Sequence, residues 1–310
     1  MNVITMSLQR VTEATFPAGA RVHLPGRGHG HVYHAPGPPG SPTLILLHGL
    51  WATGSLNWFP AFAPLREHFG VAAVDLRGHG RGLPVDGHFR VSDCADDVAA
   101  LVDALGTGPA ILVGYSLGGV VAQLAWRRHP ERVAGLVLCA TARNFAGTWR
   151  EQVFFRGMLG ATLAARAASA LHARGQSDGA TGTAAHDGTV APIDIIDEVT
   201  TLGRRLPAWA FDEMRRCNPL AAMGAMAALG RFSSHAWIGE VDVPAAVVVT
   251  ARDRLISPIR QRKLAAAIPE ATVHEVDGDH GACVLGADRF IPVLVDACQS
   301  VAGRARRSVA

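Results

Sequence analysis

Cysteine is scarce in this sequence and never forms a short C-x-x-C pair. The 310 residues contain five cysteines, an odd number scattered along the chain: Cys94, Cys139, Cys217, Cys283 and Cys298. This pattern argues against a disulfide framework and against a cysteine zinc site, and it suits a reducing compartment. We therefore predict no metal site and expect a cytoplasmic location.

Long apolar runs and strong net charge are also absent. No uninterrupted apolar stretch reaches the ~18 residues that a membrane-spanning helix needs, and the first residues do not follow the pattern of a signal peptide. The formal net charge is only +3, and the one basic cluster, residues 304–307, lies in the tail. This cluster is typical of a solvated chain end, so neither a membrane span nor nucleic-acid binding is predicted.

The remaining composition favours one large α/β domain. Hydrophobic residues make up 49% and charged residues 18% of the chain, which is enough apolar material for a sizeable core. Short apolar runs typical of buried strands alternate with helical patterns. The clearest runs are residues 43–47, 71–74, 110–113, 136–139, 245–250 and 272–276. This alternation predicts a mostly parallel sheet with helices on both faces.

The alternation breaks between residues 143 and 237, where the chain is alanine-rich and helical in pattern. We interpret this segment as a helical cap inserted into a core formed by residues 1–142 and 238–310. Residues 175–188 are rich in Gly, Ser, Thr and Asp, and they are expected to form a mobile loop that could gate the site. The aromatic and Met side chains of the cap fit either a substrate pocket or the core of the cap itself.

Residues 110–126 carry the most informative pattern. Gly114-Tyr115-Ser116-Leu117-Gly118 reads G-x-S-x-G, with a β-branched apolar run before it and an apolar helical pattern after it. This context predicts a nucleophile elbow, in which Ser116 lies at the tip of a strained turn between strand and helix. A chance match in a chain with 34 glycines is disfavoured, because the motif has the flanks that it requires.

Two further residues complete a predicted triad. A serine hydroxyl needs a base, usually a histidine oriented by a carboxylate. Asp253 follows the run at residues 245–250, and His280 lies in a glycine-flanked loop after the run at residues 272–276. The order Ser116, Asp253, His280 is the one expected of a nucleophile-elbow fold. His274, within a strand pattern, is the weaker candidate for the base.

Other carboxylates are less suited to orient His280. Asp277 and Asp279 are too close to His280 along the chain, and residues 139–142 contain no carboxylate. These observations favour Asp253 as the acid of the triad. A turn-forming or helix-capping role for Asp253 is the alternative.

Acyl transfer also needs hydrogen-bond donors for the oxyanion. The backbone N–H of Leu117, next to Ser116, is one predicted donor. The second is expected from the loop after residues 43–47, which reads His48-Gly49-Leu50-Trp51. The N–H of Leu50 is favoured and that of Trp51 is the alternative. His48 could act as a base, but a structural role in holding the loop is favoured.

Together these motifs resemble the α/β-hydrolase superfamily, in the branch with H-G after one strand and G-x-S-x-G-G at the elbow. The resemblance covers about residues 21–301 apart from the cap, and residues 75–80 are similar to the D-x-R-G-x-G loop of that family. It implies an α/β-hydrolase fold and a serine hydrolase without a cofactor. Because residue 116 is serine, it does not extend to the aspartate chemistry of epoxide hydrolases and haloalkane dehalogenases.

The resemblance implies cleavage of a carboxylic ester, thioester or related carbonyl bond through an acyl-enzyme. Acyltransferases and carbon–carbon bond hydrolases share the triad, and a receptor-like protein could use it to capture a ligand with little turnover. These alternatives stay open at the level of sequence. The expected partner is a small molecule with an apolar acyl or aromatic part, with Trp51 and Tyr115 as predicted contacts.

Overall fold

One eight-stranded sheet organises the protein in a computed structural model that describes residues 16–175 and 208–309. The strands follow each other in the sheet in the order β1-β2-β4-β3-β5-β6-β7-β8. Their bounds are β1 (Ala20–Leu24), β2 (Gly28–Ala35), β3 (Thr43–Leu47), β4 (Gly70–Val74), β5 (Ala110–Tyr115), β6 (Val133–Cys139), β7 (Ala245–Thr250) and β8 (Thr272–Val276). The β1–β2 and β2–β4 pairs are antiparallel, and every other pair is parallel.

Helices cover both faces of this sheet. Their bounds are α1 (Gly54–Arg66), α2 (Val91–Leu105), α3 (Leu117–Arg128), α4 (Trp149–Gly175), α5 (Ala208–Arg215), α6 (Pro219–Arg231), α7 (Pro258–Ala265), α8 (Ala282–Leu285) and α9 (Ala287–Val309). Successive strand side chains point to opposite faces. Leu46 therefore packs with Phe62 of α1 and Phe290 of α9, whereas Leu47 packs in a separate core cluster with Val98 of α2 and Val120 of α3.

The topology brings the loops that follow β3, β5, β7 and β8 to one edge of the sheet. These four strands are parallel neighbours or near neighbours, so their carboxyl ends lie side by side, where α/β sheets place their ligands. His48, Ser116, Asp253 and His280 all follow these ends. The predicted α/β fold with a mostly parallel sheet is confirmed.

The irregular segment between β6 and β7 contains helices α4, α5 and α6 in its described part. Gly175 is the last residue of α4, and residues 176–188 of the loop predicted to be mobile lie outside the described residues. The division into a core and a cap stays a prediction. No helix in the described part of the chain is both long and apolar enough to cross a membrane.

Candidate active site

The turn between β5 and α3 has the strained geometry of an elbow. Ser116 has φ 51° and ψ −111°, a conformation that side chains other than glycine rarely adopt. The turn is fixed on both sides. The Ser116 N–H donates to the Cys139 carbonyl at 2.9 Å, and the Ser116 carbonyl accepts from the Gly119 N–H at 3.0 Å and the Thr141 hydroxyl at 2.9 Å.

Two glycines allow strand and helix to approach closely at this turn. A Cβ on Gly118 would lie 2.1 Å from the Leu47 carbonyl oxygen, and one on Gly114 would lie 2.4 Å from the Gly118 carbonyl oxygen. Both contacts are with backbone, which cannot rotate away. The glycines of the motif are therefore steric requirements of the elbow.

The three residues predicted as a triad lie in one hydrogen-bonded chain. His280 Nε2 is 3.1 Å from Ser116 Oγ, and His280 Nδ1 is 2.8 Å from Asp253 Oδ2. Ser116 is only 7% exposed. This geometry lets an imidazole with its proton on Nδ1 accept the serine proton at Nε2. His274 instead lies within β8, with Nε2 at 3.2 Å from the Thr272 hydroxyl.

The Asp253 carboxylate is fully buried, and its surroundings fix its orientation. Oδ1 accepts the backbone N–H groups of Leu255 at 2.9 Å and Ile256 at 2.8 Å. Oδ2 accepts the Thr250 hydroxyl at 2.8 Å and the Gln261 side-chain amide at 3.2 Å, besides facing His280. Such donors compensate for the loss of water around a buried carboxylate. Asp253 therefore both shapes its turn and faces the histidine.

Two backbone N–H groups, in the elbow and in the loop that contacts it, are the predicted oxyanion donors. Those of Leu50 and Leu117 have no hydrogen-bond acceptor within residues 16–175 and 208–309. The loop that carries Leu50 contacts the elbow, since a Cβ on Gly49 would lie 3.6 Å from Ser116 Cβ. The neighbouring Trp51 has φ 58° and is 37% exposed. The role of these two N–H groups as oxyanion donors stays a prediction.

His48 is held in a structural position. Its Nδ1 is 2.7 Å from the Gly49 carbonyl oxygen, and its Nε2 accepts the Leu76 N–H at 2.9 Å. Both ring nitrogens are therefore used, and no lone pair is left for the serine proton. Burial lowers the pKa of His48 to about 4. The favoured structural interpretation of His48 agrees with these contacts.

His79 is a second buried, neutral imidazole, with its ring centroid 5.2 Å from that of His48. Burial, together with the proximity of His48, lowers its pKa to about 3. In the unfolded chain both groups return to a pKa near 6.5. Below about pH 6.5 the unfolded state therefore binds more protons than the folded state. The contribution of these two histidines to the free energy of unfolding is fully present above that pH and is lost as the pH falls towards their folded pKa values.

We therefore expect the free energy of unfolding to fall by about 2 kcal/mol for each of these two histidines between neutral pH and about pH 5. His79→Phe, which keeps a buried ring without a titrating nitrogen, should remove about half of that loss. Urea unfolding of the wild type and of His79→Phe at the two pH values measures this loss in the free energy of unfolding. An equal pH dependence in the wild type and in His79→Phe would contradict this interpretation.

Tyr115 is buried beside the loop that carries His280. Its ring is 2% exposed, packs edge-on against Trp58 and Phe290, and donates its hydroxyl to the His280 carbonyl at 2.9 Å. Burial raises its pKa well above 10. In this structure Tyr115 therefore supports the loop that carries His280, and its contact with the substrate stays a prediction.

Glu213 of α5 was not singled out from the sequence, yet it bonds the loop next to the site. Its Oε2 accepts the hydroxyls of Thr53 and Ser55, each at 2.9 Å, and its Oε1 pairs with Arg81 at 3.1 Å. Burial alone would raise the pKa of Glu213, but the hydrogen bonds from Arg81, Ser55 and Thr53 outweigh burial and lower it. Only the tertiary structure brings a residue of the irregular segment to these positions.

Within the described ranges, no group of three or more His, Cys, Asp or Glu side chains is arranged to bind a metal ion. All five cysteines are free and buried.

Comparison with known proteins identifies the family. A buried serine on an elbow between a parallel strand and a helix is the architecture of α/β-fold serine hydrolases. A model of the alpha/beta hydrolase family matches residues 44–292. The chain belongs to the alpha/beta hydrolase family, and the predicted enzyme class, a hydrolase, is confirmed.

The similar proteins include esterases and a depolymerase. The chain is 31% identical over 219 residues to a pimeloyl-[acyl-carrier protein] methyl ester esterase of Neisseria meningitidis, covering 69% of this chain and 76% of the relative. It is 27% identical over 278 residues to a poly(3-hydroxyalkanoate) depolymerase of Ectopseudomonas oleovorans, covering 87% and 89%. Among solved structures, a Thermogutta terrifontis esterase has a TM-score of 0.66 at 22% identity, covering 92% of this chain and 99% of that one.

Proposed function

We propose that this protein is a carboxylesterase that uses Ser116 as nucleophile, His280 as general base and acid, and Asp253 as the residue that orients His280. The observation that carries the proposal is the aligned pair of hydrogen bonds, 3.1 Å from Ser116 to His280 and 2.8 Å from His280 to Asp253. The buried carboxylate favours the proton on Nδ1, so Nε2 is ready to accept the serine proton.

The reaction follows from this arrangement. Ser116 Oγ forms a bond to the ester carbonyl carbon while its proton passes to His280 Nε2, and the N–H groups of Leu50 and Leu117 stabilise the oxyanion. When the tetrahedral intermediate collapses, the alcohol leaves with the proton from His280 and Ser116 is acylated. Water, deprotonated by His280, then releases the carboxylic acid and restores the serine. No cofactor is needed for these steps.

The proposed substrate is a small ester with an apolar acyl or aromatic part. The relatives named above act on a methyl ester and on a polyester, and Trp51 and Phe211 of α5 are each 37% exposed. Residues 143–237 are proposed to form a cap over the site, supported by the bonds of Glu213 to Thr53 and Ser55. A cytoplasmic location is supported by the five free cysteines.

Two measurements on the wild-type protein test this function. We expect hydrolysis of p-nitrophenyl esters from acetate to laurate, with kcat/KM rising from acetate to a medium chain length. A fluorophosphonate should stop the reaction by labelling Ser116 with one equivalent, located by peptide mass spectrometry. Labelling of another residue, or labelling without any ester hydrolysis, would contradict the proposal. Activity confined to acetate would contradict the apolar pocket.

A further inference from the structure

Asn57 is the fourth residue of α1, directly behind the loop that carries Leu50. It is 4% exposed, and its Oδ1 accepts the Gly49 N–H at 3.0 Å. A Cβ on Gly49 would lie 3.6 Å from both Asn57 Oδ1 and Ser116 Cβ. Asn57 is thus separated from the serine by a single glycine of the loop.

The contact with Asn57 fixes one edge of the His48–Gly49 peptide. In a planar trans peptide the N–H and C=O point in opposite directions, so the His48 carbonyl must face away from Asn57. It does so towards the elbow, where a Cβ on Gly118 would lie 2.9 Å from the His48 carbonyl oxygen. The peptide therefore spans from α1 to the turn that carries Ser116.

The next peptide carries the proposed oxyanion donor. The Gly49 carbonyl lies 2.7 Å from Nδ1 of the His48 ring and accepts the Ala52 N–H at 3.3 Å. Planarity again directs the Leu50 N–H to the opposite side. Gly49 is flexible at φ and ψ. A rotation of the His48–Gly49 peptide would therefore also change the orientation of the Leu50 N–H. Orientation of Gly49 by Asn57 therefore sets the direction of the Leu50 N–H.

The loop is strained and so depends on such bonds. Trp51 has φ 58°, and a left-handed conformation costs a residue with a Cβ roughly 1–2 kcal/mol. In the described part of the chain, the side chains that bond the backbone of residues 48–52 are His48, Asn57 and Cys217, the last through the Ala52 carbonyl. Among these, Asn57 is the one that bonds the Gly49 N–H.

Asn57 is an unfavourable choice if packing is its only role. Its Nδ2 is buried and has no hydrogen-bond partner among the described residues, which costs about 1–3 kcal/mol. A leucine, which has the same branched shape, would avoid that cost but could not accept the Gly49 N–H. We propose that Asn57 is a positioning residue that aims the Leu50 N–H at the oxyanion through Gly49, an inference that rests on the proposed esterase function.

The test compares Asn57→Leu with Asn57→Asp. For Asn57→Leu we expect kcat for a p-nitrophenyl ester to fall about 10- to 100-fold, with KM changed less than about 3-fold, because a misplaced donor weakens only the transition state. The affinity for phenylboronic acid, whose adduct on a serine mimics the tetrahedral intermediate, should fall by a similar factor. Burial without compensating donors raises the pKa of a carboxyl at this position, so Asn57→Asp is expected to be neutral, to offer an oxygen to the Gly49 N–H and to keep most of the wild-type kcat.

Phe62→Leu is the matched control, since it disturbs the buried face of the same helix without touching the loop. It should lower the thermal midpoint and leave kcat and boronate affinity unchanged. If Asn57→Leu does not fold, Asn57→Ser, whose hydroxyl is too short to reach the Gly49 N–H, takes its place.

Three results would overturn the inference: an unchanged kcat in Asn57→Leu, a lower kcat with unchanged boronate affinity, or an Asn57→Asp variant as slow as Asn57→Leu. Failure of the proposed function itself is recognised separately. In that case the wild type would not cleave esters, or the fluorophosphonate would label a residue other than Ser116.

Discussion

Ser116→Ala is expected to lower kcat for ester cleavage by about a million-fold, the loss that follows when a triad nucleophile is removed. The reason is that Ser116 Oγ is the hydroxyl that faces the proposed proton acceptor, His280 Nε2, at 3.1 Å. The Leu50 and Leu117 N–H groups remain, so a weak rate above that in water should persist. A kcat within about 100-fold of wild type would contradict the assignment of Ser116 as nucleophile.

The measurement needs a control for wild-type contamination and for folding. Titration with a fluorophosphonate gives the fraction of active serine, and circular dichroism with thermal melting shows whether the fold is intact. Ser116→Ala should melt close to the wild type, because alanine has the same backbone preference in the strained turn.

Ser116→Gly separates the strain of the elbow from its chemistry. At φ 51° and ψ −111° glycine avoids the steric conflict of a Cβ, so this variant should be about 1 kcal/mol more stable than Ser116→Ala. It should be equally inactive. Urea unfolding of the two variants gives the difference, and an equal or lower stability of Ser116→Gly would show that the turn is not strained.

The sequence predicts most of the sheet and the order of the site residues, because both depend on local patterns. Buried parallel strands read as short apolar runs, and the runs at Thr43–Leu47, Ala245–Thr250 and Thr272–Val276 coincide with β3, β7 and β8. Once the strands are aligned, Ser116 and His280 must lie near each other at one edge. The pattern of strands in the sequence is therefore enough to predict that the residues of the proposed triad lie close together.

Residues whose role depends on tertiary contacts could not be predicted in the same way. Tyr115 stands next to the nucleophile in sequence, but the end of β5 turns its ring into the core below His280. Asn57 carries no motif, and its role follows only from the 3.0 Å contact with Gly49. Glu213 lies 160 residues from Thr53, its partner. The spacing of residues along the sequence does not predict any of these three contacts.

Asp253→Asn is expected to lower kcat by about ten-thousand-fold, because it forces the histidine into the wrong tautomer. Two backbone N–H groups, those of Leu255 and Ile256, point at the Oδ1 position. The oxygen of an asparagine would therefore occupy that position and its NH₂ would occupy the position of Oδ2. This NH₂ would donate to His280 Nδ1, so the imidazole proton would move to Nε2.

In that tautomer His280 presents an N–H to Ser116 Oγ and cannot accept its proton, while the positions of all three residues change little. The rate of ester cleavage and the rate of fluorophosphonate labelling should fall in parallel. Thr250→Val is the matched control: it removes one donor, at 2.8 Å, from the same oxygen and retains the negative charge, so kcat should fall less than about 10-fold.

Substitution of the neighbouring carboxylates, Asp277 and Asp279, tests most directly whether Asp253 is the acid of the triad. Asp277 pairs with Arg252 at the surface, and Asp279 accepts the Gly281 N–H at 2.9 Å, so neither side chain is directed to the His280 ring by these bonds. Asp277→Asn and Asp279→Asn should keep kcat within about 10-fold of wild type. If either lowered kcat more than Asp253→Asn does, the acid of the triad would have to be reassigned. The opposite order would make the buried Asp253 carboxylate the group that holds the proton on Nδ1 and leaves Nε2 free for Ser116.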